Sequence, residues 1–177
     1  TRTVLVQDTT KPVITLNGES LVVVEAGNSY VEQGANAFDL SENLTDSILT
    51  ENNINTDVPG TYTVTYTVFD AAGNKSELTR TVLVQDTTKP VITLNGSNFV
   101  TVEAGNSYIE LGATATDSLD GVLEVQVNGN VDTKLPGTYT VTYSATDEAG
   151  NKSELTRTVL VQDTTKPVIT LNGSNFV

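Results

Sequence analysis

Thr61–Val68 reads TYTVTYTV. Alternation of this kind has a period of two, the side-chain period of a β-strand and not of a helix. It puts Tyr62, Val64, Tyr66 and Val68 on one face and Thr61, Thr63, Thr65 and Thr67 on the other. β-Branched and aromatic residues suit a pleated, half-buried surface. The Tyr/Val face is therefore expected in a core and the Thr face in solvent. The stretch returns as TYTVTYSA at Thr138–Ala145, with Tyr139, Val141, Tyr143 and Ala145 at the inward positions.

The recurrence extends well beyond that strand. Thr1–Gly18 (TRTVLVQDTTKPVITLNG) recurs unchanged at Thr79–Gly96 and at Thr156–Gly173, and Ala72–Val100 is identical to Ala149–Val177. A period of this size signals an array of small modules. The expected organisation is two complete repeats, residues 8–85 and 86–162. Residues 1–7 are expected to be the last strand of a truncated repeat, and residues 163–177 the first strands of another. On this reading the chain is an excerpt of a longer protein.

Within the second repeat, extended segments are expected at Val91–Leu94, Asn98–Glu103, Tyr108–Thr116, Val122–Val127, Val131–Thr133, Thr138–Thr146 and Glu154–Gln162. Turn formers separate them, among them Asn95-Gly96, Asn128-Gly129-Asn130 and Pro136-Gly137. About seven short strands with turns at close intervals and no helical period predict an all-β sandwich. The first repeat departs most at Asp39–Val58, where alternation is lost over Leu44–Leu49 and an irregular stretch or a helical turn is expected.

Composition narrows the chemistry. The chain has neither Cys nor His, so zinc centres and Ser–His or Cys–His catalysis are excluded within it. No acid–base pair sits in an apolar context, and no catalytic site is expected. The net charge of −13 argues against nucleic acid and anionic membrane as partners, since both require a basic face. Lys11, Lys75, Lys89, Lys134, Lys152 and Lys166 are expected in linkers or loops, which argues against a buried Lys–Asn isopeptide bond.

The succession DTTKPVITL, EAGNSY, A-x-x-D, PGTYTVTY and D-x-A-G-N resembles bacterial immunoglobulin-like tandem repeats, the DUF5011 and HYR-like modules of large surface adhesins and secreted proteins. The resemblance covers both complete repeats and both ends. It implies an immunoglobulin-like sandwich, a tyrosine corner at Tyr62 and Tyr139, and a place at the bacterial cell surface or outside the cell. It also implies spacer or display roles, with calcium bound at the junctions of some members.

By strand order in such a sandwich, Asp117 and Asp120 fall in the BC loop of the second repeat. Asp147 and Asn151 bracket its FG loop, and Asp86 lies in the incoming linker. The first-repeat equivalents are Asp8, Asp39, Glu42, Asp70 and Asn74. Glu25 and Asp57 are expected at the opposite pole of the first repeat. Oxygen ligands drawn from several short loops suit Ca²⁺; Asp and Asn are equally the ordinary residues of turns. Calcium is the one cofactor expected.

The functional expectation is a structural stalk, an extended spacer whose partners are neighbouring repeats of the same polypeptide. The linkers Gln85–Pro90 and Gln162–Pro167 are short and Pro-stiffened. Three alternatives stay open: a module binding a surface glycan or protein through the divergent Leu40–Val58, an accessory module of a secreted hydrolase or toxin, and a self-assembling filament subunit joined through its end strands.

Overall fold

The structure, a computed structural model, describes residues 1–40 and 42–173. Ser41 in the divergent segment and residues 174–177 at the end of the third copy lie outside the described residues. The chain divides into two compact units, residues 1–87 and 88–177.

The described residues of the first unit form seven strands: β1 (Val13–Leu16), β2 (Leu21–Glu25), β3 (Ala35–Asp39), β4 (Glu42–Asn43), β5 (Leu49–Glu51), β6 (Gly60–Phe69) and β7 (Lys75–Gln85). They form two sheets, ordered β1-β3-β4 and β2-β7-β6-β5. The pairings are antiparallel except that β2 runs parallel to β7, from Leu21 opposite Thr81 to Glu25 opposite Gln85.

The second unit repeats the plan with β8 (Val91–Leu94), β9 (Phe99–Glu103), β10 (Ala113–Asp117), β11 (Gly121–Leu123), β12 (Gln126–Asn128), β13 (Gly137–Thr146) and β14 (Lys152–Gln162). Its sheets run β11-β10-β8 and β12-β13-β14-β9. Each unit is thus the expected all-β sandwich.

The alternation of β6 is honoured. Val64, Tyr66 and Val68 are fully buried, Tyr62 is half-buried, and the Thr residues between them are exposed or half-buried. Val64, Tyr66 and Tyr62 pack with Val24, Val82 and Val84 of the same sheet and with Ala35 across the sandwich, and Val68 packs with Ala37 and Leu44. Tyr62 donates its hydroxyl to the Val58 carbonyl at 2.9 Å, and Tyr139 to that of Leu135 at 2.8 Å, closing the tyrosine corner in both units.

Three expected strands are revised. Tyr108–Thr116 is extended as a ladder strand only from Ala113. Gly112 takes φ +74, and the Glu110 side chain folds back to accept the Gly112 N–H at 2.8 Å, which breaks the run. Val122–Val127 is two strands, because the chain leaves the β10 ladder after Leu123 and joins β13 at Gln126. Val131–Thr133 belongs to no ladder. In the first unit the divergent segment forms a 3-10 turn at Thr45–Ser47. Its Leu44 is buried, and Ile48 and Ile54 pack onto the core. Lys75 and Lys152 open β7 and β14 rather than lying in loops, but both are exposed and paired with Glu77 and Glu154.

Candidate functional site

At one pole of the first unit the inward alternation of two strands ends in carboxylates. On β3 the inward positions are Ala35, Ala37 and Asp39. On β6 they run Val64, Tyr66, Val68, and the next inward residue, just past the strand, is Asp70. The pattern that buries methyl groups thus buries two charges, which is costly unless they are paired or bound to an ion.

Asp70 is well provided for. Its Oδ1 accepts the Asn74 N–H at 2.8 Å and its Oδ2 the Asn74 side-chain amide at 2.7 Å. Burial would raise its pKa, but the donors of Asn74, Ala72 and Gly73 outweigh burial and hold it below the ordinary value. Asp39 is different. It is only 5% exposed, and its Oδ1 has no hydrogen-bond partner. Burial, and then the charges of Asp8, Asp70 and Glu42, push its pKa above the ordinary value.

Asp8 completes a group of three. One carboxylate oxygen from each of Asp8, Asp39 and Asp70 lies within 4.8 Å of the others. Asp8 is held there by its own backbone, whose Thr10 N–H reaches its Oδ1 at 2.9 Å, and by Asn74, whose amide donates to the Asp8 carbonyl at 3.4 Å. Of the other residues expected here, Asn74 presents its amide nitrogen, so it clamps the group rather than offering an oxygen. Glu42 is exposed on β4, opposite Asp39 in the ladder, and stands outside the triad.

The second unit repeats the buried carboxylates. Asp117 ends the inward row of β10, is 8% exposed, and its Oδ2 has no hydrogen-bond partner. Its Oδ1 accepts the Leu119 and Asp120 N–H groups at 2.7 and 3.2 Å. Asp120 accepts the Glu148 N–H at 2.8 Å. Asp147 accepts the Asn151 N–H at 2.6 Å and its amide at 2.9 Å. Asp86, the counterpart of Asp8 in the repeat, directly follows β7 and is buried.

At the other pole Glu25, the last residue of β2, grips the chain leaving the unit. Its two oxygens accept the Thr87 N–H at 2.7 Å and the Thr87 hydroxyl at 2.8 Å. Glu103, the last residue of β9, does the same to Thr164 at 2.7 and 2.8 Å and also accepts the Thr165 hydroxyl at 2.9 Å. The Thr164 and Thr165 donors hold the Glu103 carboxyl below its ordinary pKa. Asp57 is exposed and its N–H is turned to Asn55.

A second buried cluster escaped the sequence reading. Arg80 of β7 has no exposed surface. Its guanidinium meets the Glu32 carboxylate and donates to the carbonyls of Asn17 and Glu19 at 2.5 and 2.9 Å. Tyr66 and Tyr30 also donate to Glu32. Arg157, Glu110, Tyr143 and Tyr108 repeat the arrangement in the second unit. The signal was present: Arg80 stands in the inward register of Val82 and Val84.

Comparison with known proteins places the fold in a family. The family model described as "Bacterial surface protein, Ig-like domain" matches residues 14–84 and 92–161. The chain belongs to this family of bacterial surface immunoglobulin-like domains. It is 36% identical over 190 aligned residues to hyalin of Strongylocentrotus purpuratus, covering 96% of this chain and 15% of hyalin. It is 33% identical over 157 residues to the pesticidal crystal protein Cry22Aa of Bacillus thuringiensis, covering 82% of this chain and 21% of that protein. The chain therefore spans a small part of each of these relatives. Among solved structures, the lipoprotein BT2262 of Bacteroides thetaiotaomicron aligns with a TM-score of 0.40 at 15% identity, over 82% of this chain and 98% of that one. Among the described residues no helix is long and apolar enough to cross a membrane.

Proposed function

We propose that these repeats are a spacer in a bacterial surface or secreted adhesin-like protein, an extracellular stalk that holds other domains at a distance and performs no catalysis of its own. The observation that carries this reading is the grip of Glu25 on Thr87, repeated by Glu103 on Thr164 and Thr165. A connector that is anchored to the unit it leaves has fewer residues left to act as a flexible coil, and connector stiffness sets reach. At the entry of the first unit, Ser76 likewise donates its hydroxyl to the Pro12 carbonyl at 2.5 Å. Ligand binding needs no such anchoring of connectors; spacing does.

The test is small-angle scattering on the whole chain beside its Glu25→Ala variant. The expected result is a broader distribution of interatomic distances in the variant, with the melting temperature little changed because the clasp is exposed. Identical scattering from the two proteins overturns the spacer reading.

A further inference from the structure

We propose that Asp8, Asp39 and Asp70 form a cation site in the first unit, and that the ion it takes is Ca²⁺. Three carboxylate oxygens lie within 4.8 Å of one another. The described ion pairs of the unit, Lys75–Glu77 and Arg80–Glu32, use none of them. The independent observation is Asp39: it is 5% exposed, and its Oδ1 is buried without any hydrogen-bond partner. A carboxylate oxygen in that position lacks both water and a donor, and a bound cation answers both deficits.

The choice of ion follows from the ligands. The set is oxygen only, since the chain has no His or Cys, and oxygen-only sets select hard cations. Ca²⁺ binds oxygens at about 2.3–2.6 Å in variable geometry, so two of its ligands stand at most about 5 Å apart. The 4.8 Å limit of the triad falls inside that span. Mg²⁺ demands a tighter and near-octahedral shell, which a group drawn from a strand end, a loop and the lead-in segment is poorly built to supply. Asn74, which holds both Asp70 oxygens and the Asp8 carbonyl, orients the ligands. The second unit keeps the same signature in Asp117, whose buried Oδ2 is also unpartnered.

The site has a consequence that rests on the spacer reading. Asp8 precedes the first strand, in the segment that forms the connector wherever this repeat follows another. An ion on Asp8, Asp39 and Asp70 fastens that connector to the unit it enters. Within the first unit the ion thus pins the lead-in segment at Asp8 to the end of β3 and to the loop after β6.

The experiment is calorimetric titration of the chelator-stripped chain with CaCl₂, with thermal melting in parallel. Expected is saturable binding and a rise in the melting temperature of the first unit. Asp39→Asn, which keeps size and shape, is expected to stay folded by circular dichroism and to weaken one site by about tenfold or more, as removing even an outer-shell partner does. Asp117→Asn serves as the control that leaves the first-unit site intact. No saturable heat with the wild-type chain, or a first-unit response to Mg²⁺ or NaCl equal to that for Ca²⁺, overturns the site. So does unaltered calcium binding in folded Asp39→Asn. Scattering with and without Ca²⁺ separates the two readings: binding without any change in scattering upholds the site and removes the pinned connector, whereas the Glu25→Ala comparison judges the spacer by itself.

Discussion

The guanidinium of Arg80, with no surface exposed to solvent, closes on the carboxylate of Glu32, 48 residues earlier in the chain. The pair ties β7 to the segment ahead of β3, and other Arg80 donors go to the carbonyls of Asn17, Glu19 and Gly34 and to the Tyr66 hydroxyl. Removing one partner of such a pair leaves the other charge buried. Glu32→Gln is expected to destabilise the first unit by about 3 kcal/mol. Arg80→Met combined with Glu32→Gln should cost less than the sum of the single changes by about 1 kcal/mol or more. Urea unfolding of the four proteins checks this, with the second unit as internal reference.

The same pair makes stability depend on pH. Burial favours the neutral form of Glu32, but the hydroxyls of Tyr30 and Tyr66, the Gly34 N–H and the Arg80 charge together favour the ionised form more and lower its pKa beneath 4.5. Glu110 is lowered in the same way in the second unit. A carboxyl more acidic in the folded state releases its proton more readily there, so the unfolded chain binds more protons in the interval between the two pKa values. This contribution is complete above pH 4.5 and declines as pH falls through the lowered values. The difference in unfolding free energy between wild type and Glu32→Gln should therefore be flat above pH 5.5 or so and shrink below about 4.5. A difference that grows on acidification contradicts the assignment.

Each tyrosine corner is one hydrogen bond on a packed ring. Tyr62→Phe keeps the ring and removes the 2.9 Å bond to Val58. The expected loss is about 1 kcal/mol, equal within error to that of Tyr139→Phe in the other unit, by thermal melting.

Two glycines separate backbone strain from collision. Gly129 has φ +127, and a Cβ there would stand 2.5 Å from the Thr140 carbonyl oxygen. Gly150 has φ +92 with nothing within 4 Å of the same atom. Gly150→Ala should cost about 1 kcal/mol through conformation alone. Gly129→Ala adds the clash and should cost about 3 kcal/mol or more. Equal losses in denaturant unfolding contradict the geometry.

Much of this structure was legible along the chain, for reasons of period. Eight alternating residues at Thr61–Val68 are enough to name a strand and its buried face, and the Pro-Gly-Thr-Tyr that opens it names its corner. Where the reading erred, a side chain overruled the backbone pattern. Tyr108–Gly112 alternates as a strand does, yet Glu110 is recruited by Arg157, from 47 residues away, and its folded-back carboxylate ends the ladder. Such a partner is invisible to a local window. Position also matters more than composition: TRTVLVQ is strand at Thr79–Gln85, where β6 and β2 flank it, and joins no ladder at Thr1–Gln7. The acidic residues of the candidate site were named individually. What the sequence withheld was which of them share one point, since turn residues and metal ligands are the same types. The inward register of Asp39 and Asp70 separates them from exposed Glu42.

The parallel pairing of β2 with β7 sets how a unit resists a pull on its ends. Leu21–Glu25 lies near the start of the unit and Thr81–Gln85 at its finish, and five residue pairs run side by side in the same direction. Tension applied to the two ends drags these strands in opposite senses along their common axis. The bonds between them are then loaded together, in shear, and must fail together. An antiparallel pair at the same place would open like a zipper, one bond at a time, at a much smaller force.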